Sequence, residues 1–136
     1  MADKRPDRKF GPGHDDFWQY CEKGELRIQR CATCAELSWP VVKACENCGS
    51  EDLAFERMSG RGKVISWATF ERDYYKGAFP IPWDTILVEL EEGPLFVSNP
   101  QGFSWPDITP DLPVALTFLR CEDSAGEYNL PVFEKV

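Results

Sequence analysis

The sequence predicts a mainly β protein in which a short helix and a metal-stapled ribbon precede a five-stranded barrel. Three observations predict it. Two Cys-x-x-Cys pairs stand close together, at Cys31/Cys34 and Cys45/Cys48. From Ser59 onward, five segments of strand-like patterning are separated by Gly, Pro and Asp turn signals. No long helical period runs anywhere along the chain, which favours a small barrel over a helical bundle.

In chain order, residues 1–14 mix Lys4, Arg5, Arg8 and Lys9 with Pro6, Gly11, Pro12 and Gly13. That composition resists regular structure and reads as a flexible arm. Asp15 or Asp16 is placed to cap a short helix carrying Phe17, Trp18, Tyr20 and Cys21 and ending near Lys23 and Gly24. Phe17, Tyr20 and Cys21 share one face of it. Leu26 and Ile28 alternate with Arg27 and Gln29, a strand that feeds the first cysteine pair. The barrel strands are expected at 63–70, 85–90, 95–98, 114–120 and 128–133. The organisation is therefore an arm over 1–14, helix and ribbon over 15–58, and barrel over 59–136.

A long connection, 71–83, carries Tyr74, Tyr75, Phe79 and Trp83, and a loop that aromatic needs something to cover it. Together with Phe17, Trp18 and Tyr20 it forms the expected partner-docking surface, since aromatic anchors dominate interface energetics.

With 136 residues, 43% hydrophobic, and five Trp and nine Phe, the chain has the profile of a globular protein with one modest core. Its net charge of −8 is unevenly spread. Residues 1–50 hold eight Lys/Arg and eight Asp/Glu, whereas residues 51–136 hold seven against fifteen, so the second part repels phosphate backbones. No nucleic-acid partner is therefore expected, although a single-stranded nucleic-acid binder is the alternative that a small aromatic barrel always raises. No run approaches the roughly 18 apolar residues of a membrane span, and the first 14 residues lack the apolar run of a signal peptide. The expectation is a cytoplasmic protein with no membrane partner, whose six cysteines are metal ligands or buried thiols.

The two Cys-x-x-Cys pairs are separated by ten residues. Each pair forms a turn that points two thiolates at one ion about 2.3 Å away, and two such turns complete a tetrahedron. Gly49 follows the second pair, where a residue tolerating positive φ lets the backbone curl around the sulfur; Ala35 stands at the equivalent place after the first. Four thiolates close the coordination sphere, so the metal, one per chain, is structural. Iron in a rubredoxin-like site uses the same ligands. Cys21 and Cys121 lie outside the pairs and read as buried small hydrophobes.

Catalytic machinery is not expected. The one histidine, His14, falls in the arm, and Asp15/Asp16, Glu91/Glu92 and Glu122/Asp123 lie at element ends, where capping and solvated turns are the ordinary roles. The run Gly60-Arg61-Gly62 is too short to cradle a phosphate and reads as a turn launching the first barrel strand. Arg61 and Lys63 are among the few cations of the acidic half and are candidates for a contact to an anion.

The ordered set of features resembles a family of small proteins, once filed as a domain of unknown function, that join a rubredoxin-like zinc ribbon to an OB-fold. The resemblance rests on Phe17-Trp18, Gly24-x-Leu26, Cys31-x-x-Cys34, Pro40, Cys45-x-x-Cys48-Gly49, Ser59-Gly60-Arg61-Gly62, Pro82, the turn at Gly93, and Pro131-x-Phe133. It covers the chain from about residue 15 to the end. The sequence departs from the pattern at Ala35 and at Leu112-Pro113, each where the family often has glycine. The resemblance implies structural zinc and a non-catalytic accessory subunit. Its partners would be thiolase-like enzymes, lipid-transfer-type aldolases or hot-dog-fold enoyl-CoA hydratases, beside whose active-site entrance such a subunit helps shape the acyl-CoA channel. Contact with acyl-CoA is then indirect, and the anion that Arg61 or Lys63 would meet could be part of coenzyme A.

Overall fold

In the computed structural model, residues 2–73 and 81–136 are described. A two-residue strand, β1 (Asp3–Lys4), precedes helix α1 (His14–Glu22). The strands β2 (Arg27–Cys31), β3 (Leu37–Ser38) and β4 (Leu53–Arg57) then form an antiparallel sheet in the order β3-β2-β4. A second, larger sheet holds β5 (Arg61–Phe70), β6 (Trp83–Leu90), β7 (Leu95–Ser98), β8 (Leu112–Asp123) and β9 (Gly126–Lys135). A 3-10 turn (Trp105–Asp107) interrupts the connection before β8.

The five later strands curl into the predicted OB-like barrel. β5 pairs antiparallel with both β6 and β8, β6 continues to β7, and β8 continues to β9. The ring is drawn together where β9 meets the chain just after β7: Pro100 bridges Phe133 in parallel, and the Gln101 amide donates to the Phe133 carbonyl at 2.7 Å. Alternation directs Val64, Ile86, Val88, Leu90, Phe96, Val114 and Phe133 inward. A register shift between Val64 and Ser66 leaves Ile65 as an extra residue, the local irregularity that tightens a strand's curl.

Gly60 launches the first barrel strand as expected, and the physical reason is double. Its φ is +85°, and a Cβ there would sit 2.9 Å from the Cβ of Leu116, whose amide donates to the Gly60 carbonyl at 2.7 Å. The two departures from the family glycines are also accounted for. Ala35 takes φ 68° after the first cysteine pair, and Asp111 takes φ 63° immediately before Leu112-Pro113. Left-handed turns are therefore kept at both places by other residues.

The N-terminal segment corrects an expectation. Rather than standing off as an arm, β1 pairs in parallel with the end of β8, matching Asp3 to Cys121 and Lys4 to Glu122. Arg8 then clasps Asp123 with two nitrogens, Nε to Oδ2 at 2.7 Å and Nη2 to Oδ1 at 3.2 Å. Its guanidinium also lies 3.9 Å from the centre of the Tyr128 ring. Local composition, rich in Pro and Gly, carries no trace of these contacts. His14 is consequently the first residue of α1, not a tail residue. The helix begins at Gly13, at φ 81°, without a side-chain cap; the Asp15 carboxylate instead accepts from the Gly11 amide at 3.1 Å.

Helix α1 buries Phe17 and Cys21 against the ribbon and barrel. Its far end is tied to β9, where the Asn129 amide donates to Glu22 at 2.8 Å and the Asn129 side chain to the Cys21 carbonyl at 3.2 Å. Helix, ribbon and barrel thus share one apolar core.

Candidate functional site

The ribbon brings all four predicted ligands together. The sulfurs of Cys31, Cys34, Cys45 and Cys48 lie within 4.8 Å of one another, with Cys31 to Cys48 at 3.5 Å and Cys34 to Cys45 at 3.6 Å. A tetrahedral ion with metal–sulfur bonds of about 2.3 Å requires sulfur–sulfur edges of about 3.8 Å, so the donor set fits one such ion. Both pairs make the same turn. The Ala35 amide donates to the Cys31 carbonyl at 2.9 Å, and the Gly49 amide to the Cys45 carbonyl at 2.8 Å. Return bonds run from the Cys31 amide to Glu36 and from the Cys45 amide to Ser50. The loop between the pairs is pinned by buried Gln29, whose amide side chain both donates to and accepts from the backbone of Val42.

Amides aimed at the sulfurs set their acidity. The backbone N–H groups of Cys34 and Thr33 pull the Cys31 thiol down to about 6. The Asn47 side chain and the Glu36 amide hold Cys34 below the ordinary thiol range. At Cys48 the Ser50 amide pulls the same way, but hydrogen bonds from its thiol to Cys31, Cys34 and Cys45 outweigh it and push the value to about 12. Four sulfurs at these spacings repel one another as thiolates, a conflict that a divalent ion between them removes. Cys21 and Cys121, by contrast, are buried thiols outside this cluster, and burial raises both, Cys21 to about 12. Both therefore stay protonated and unreactive at neutral pH.

The aromatics expected at a docking surface have other work. Phe17 is only 4% exposed and stacks against Trp39, so it belongs to the core and not to a partner face. Trp18 is half-buried, wedged edge-on between Phe17 and Tyr128, and its indole N–H donates to the Lys9 carbonyl at 3.2 Å. Tyr20 lies against Phe55 with the Arg27 guanidinium over its ring. These three fix the helix onto the ribbon and barrel, because helix, ribbon and barrel are each too small to bury their own rings. Trp83 stacks on Phe70 at 4.3 Å. Tyr74, Tyr75 and Phe79 lie outside the described residues.

Arg61 and Lys63 are both matched by acids. Arg61 reaches Glu91 at 3.0 Å, and Lys63 lies 3.6 Å from both Glu89 and Asp111. An anion arriving there meets cations already neutralised by carboxylates.

Sequence reasoning missed an apolar strip that the structure presents openly. Leu95 and Val97 point outward from β7, 46% and 63% exposed, while Phe96 and Ser98 between and beside them are buried. β7 ends the strand path β1-β8-β5-β6-β7, and its other edge reaches β9 at its far end, where the Ser98 hydroxyl donates to the Pro131 carbonyl. Beside it opens a cleft of about 240 Å³ between helix, ribbon and barrel, walled by Phe17, Trp18, Trp39, Val41, Phe96 and Val97. His14 and Lys9 add polar lining to it. The alternation of residues 95–98 was readable as a strand. That it ends a sheet ladder was not, because that depends on pairings made far away in sequence.

A four-cysteine ribbon packed through a shared core onto an OB-like barrel defines the class: small two-part proteins in which a metal knuckle and a barrel are one folding unit. The comparisons narrow it. Residues 18–54 match the family model described as ChsH2, rubredoxin-like zinc ribbon domain. The chain is 36% identical over 118 residues to a probable enoyl-CoA hydratase alpha subunit of Thermomonospora curvata, covering 86% of this chain and 36% of that protein. It is 33% identical over 89 residues to a DUF35 domain-containing scaffold protein of Pyrococcus furiosus, covering 61% of each. In three dimensions it matches a chain of the Ltp2-ChsH2(DUF35) aldolase with a TM-score of 0.84 and 31% identity, covering 95% of this chain and 98% of that one. The protein belongs to the DUF35 family of rubredoxin-like zinc ribbons joined to OB-like barrels. It spans about a third of the length of the hydratase subunit and about three-fifths of the scaffold protein.

Proposed function

We propose that the protein is a non-catalytic accessory subunit of a heteromeric acyl-CoA-processing enzyme, stabilising a thiolase-like, aldolase or enoyl-CoA hydratase partner and shaping its acyl-CoA channel. The observation that carries this reading is the match over almost the whole of both chains to a component of an aldolase named for two proteins. The names of the hydratase alpha subunit and the scaffold protein point the same way.

Zinc is the metal that suits the four thiolates. It has no redox chemistry, accepts a sulfur tetrahedron without geometric strain, and would be held by Cys31, Cys34, Cys45 and Cys48 as a fold-stabilising ion. With all four positions filled by protein, it leaves no open site for water or substrate. The chain's own residues therefore contribute surface and stability, not bond making.

The partner face we favour is the outer side of β7. Leu95 and Val97 leave an apolar strip beside the 240 Å³ cleft, and apolar surface at the end of a sheet ladder suits a protein partner. Co-expression with a thiolase-fold aldolase subunit or a hot-dog hydratase subunit, followed by size-exclusion chromatography with light scattering, tests the assignment. A stable heteromer with one zinc per copy of this chain is expected. A chain that stays apart from every partner of those types contradicts it. Among the described residues, no helix is long and apolar enough to cross a membrane. The cytoplasm is the location we propose for the assembly.

A further inference from the structure

We infer that Arg30 is a positioning residue for the metal centre, holding the peptide that joins Ala35 to Glu36 so that the left-handed turn after Cys34 is kept. The inference rests on the four cysteines being a metal site.

The first knuckle has a handicap that the second lacks. Gly49 adopts its φ of 80° freely, whereas Ala35 must hold φ 68° with a Cβ in place. Arg30 lies on β2, directly before Cys31, and its Nη1 donates to the Ala35 carbonyl at 2.6 Å. The rest of the guanidinium is locked on β4, with Nε to Glu56 Oε1 at 2.9 Å and Nη2 to Glu56 Oε2 at 2.7 Å. The fork therefore has no freedom to leave the carbonyl.

The same peptide unit is part of the metal knuckle. Its carbonyl oxygen belongs to Ala35 and its N–H to Glu36, and it is closed into the first cysteine turn on both sides, with the Ala35 amide donating to the Cys31 carbonyl and the Cys31 amide to the Glu36 carbonyl, each at 2.9 Å. A cation held on that carbonyl fixes the plane of the peptide, and with it the turn that carries the Cys31 and Cys34 sulfurs. Glu56, Arg30 and the Ala35–Glu36 peptide form a chain running from the sheet to the first cysteine turn. A plain surface ion pair would be the ordinary reading, since both side chains are more than a third exposed and such pairs contribute little to stability. The third donor contact, onto a left-handed alanine, is what that reading leaves without a role.

The test uses the full-length chain loaded with zinc, and separately with cobalt, as wild type, Arg30→Met, Ala35→Gly and the double variant. Zinc transfer to a chromophoric chelator gives the release rate, and the thiolate-to-cobalt charge-transfer bands report the geometry at the sulfurs. Arg30→Met should speed zinc release about tenfold, the range seen when a residue behind a metal ligand is lost, and should shift the cobalt bands. In the Ala35→Gly background the same change should fall to about twofold, because glycine adopts the turn unaided. Unchanged release and bands in Arg30→Met, or an equal acceleration with and without Ala35→Gly, would overturn the inference while leaving the metal site standing. A wild-type chain that binds neither zinc nor cobalt overturns both.

Discussion

Arg8 and Asp123 lie 115 residues apart in the chain, yet the Arg8 Nε sits 2.7 Å from the Asp123 Oδ2. The Asp123 side chain is wholly shielded from solvent, and the Arg8 side chain is nearly so. This pair, backed by the Tyr128 ring, fastens the N-terminal segment to the far end of the barrel.

Its pH dependence follows. Hydrogen bonding from Arg8 holds the Asp123 carboxyl down at about 2, below its ordinary value of about 3.8. A lowered carboxylate stabilises the fold above its ordinary value and loses that contribution as pH falls toward its folded value. Asp123→Asn should therefore melt below wild type by a constant margin above about pH 5, and the margin should close between about pH 4 and pH 2. Thermal melts of both proteins across that range measure it. Amide exchange at Asp3 and Lys4 should rise in the variant.

Cys45→Ser removes one of the four thiolates. Bound metal should fall well below one ion per chain, and much of the apparent ~10–16 kcal/mol that a structural zinc supplies to its module should go with it. Elemental analysis and near-ultraviolet circular dichroism check the two effects. The ribbon and helix α1 share a core with the barrel through Phe17, Leu26 and Ile28, so the barrel is expected to be weakened as well.

Gly60→Ala places a methyl group 2.9 Å from the Leu116 Cβ and forces φ +85° on a residue that avoids it. The expected loss is about 1–3 kcal/mol, read from chemical denaturation with an unchanged m-value. Gly93→Ala meets nothing within 4 Å, so any cost there reports the φ of +112° alone. Gly60→Ala should be the more damaging of the two.

Much of this architecture was legible in the sequence, and the limits have physical causes. The four ligands were readable because two Cys-x-x-Cys turns encode their own geometry locally. The barrel strands were readable because alternation and turn residues are local too; the span 95–98 coincides with β7, and the other four end within a few residues of those expected. Three of the described strands were not read. β1 and β3 are two residues each, too short for any pattern, and β4 lies in the segment assigned wholly to the ribbon. The docking role given to Phe17 failed because a nine-residue helix shows its apolar face equally to a core and to a partner. Only the packing of Trp39 and Tyr128 onto it decides the matter.

Trp18 and Val97 separate folding from assembly. Trp18→Ala removes the wedge between Phe17 and Tyr128 and should cost about 2 kcal/mol or more in stability. Val97→Asp changes a side chain that is 63% exposed and should leave melting and metal content within error of wild type. It should weaken partner binding by about 2 kcal/mol, some thirtyfold in Kd, if the outer side of β7 is the docking face. Titration calorimetry with the partner subunit makes the comparison.

The central claim, that catalysis belongs to the partner and this chain supports it, is tested most directly by turnover of an acyl-CoA substrate in three samples: this chain alone, the partner subunit alone, and the two combined. The account predicts no turnover from the zinc-loaded chain, low or unstable activity from the partner, and full activity only from the mixture, reduced when Val97→Asp is used. Turnover by the isolated chain, or partner activity that is indifferent to its addition, would contradict it.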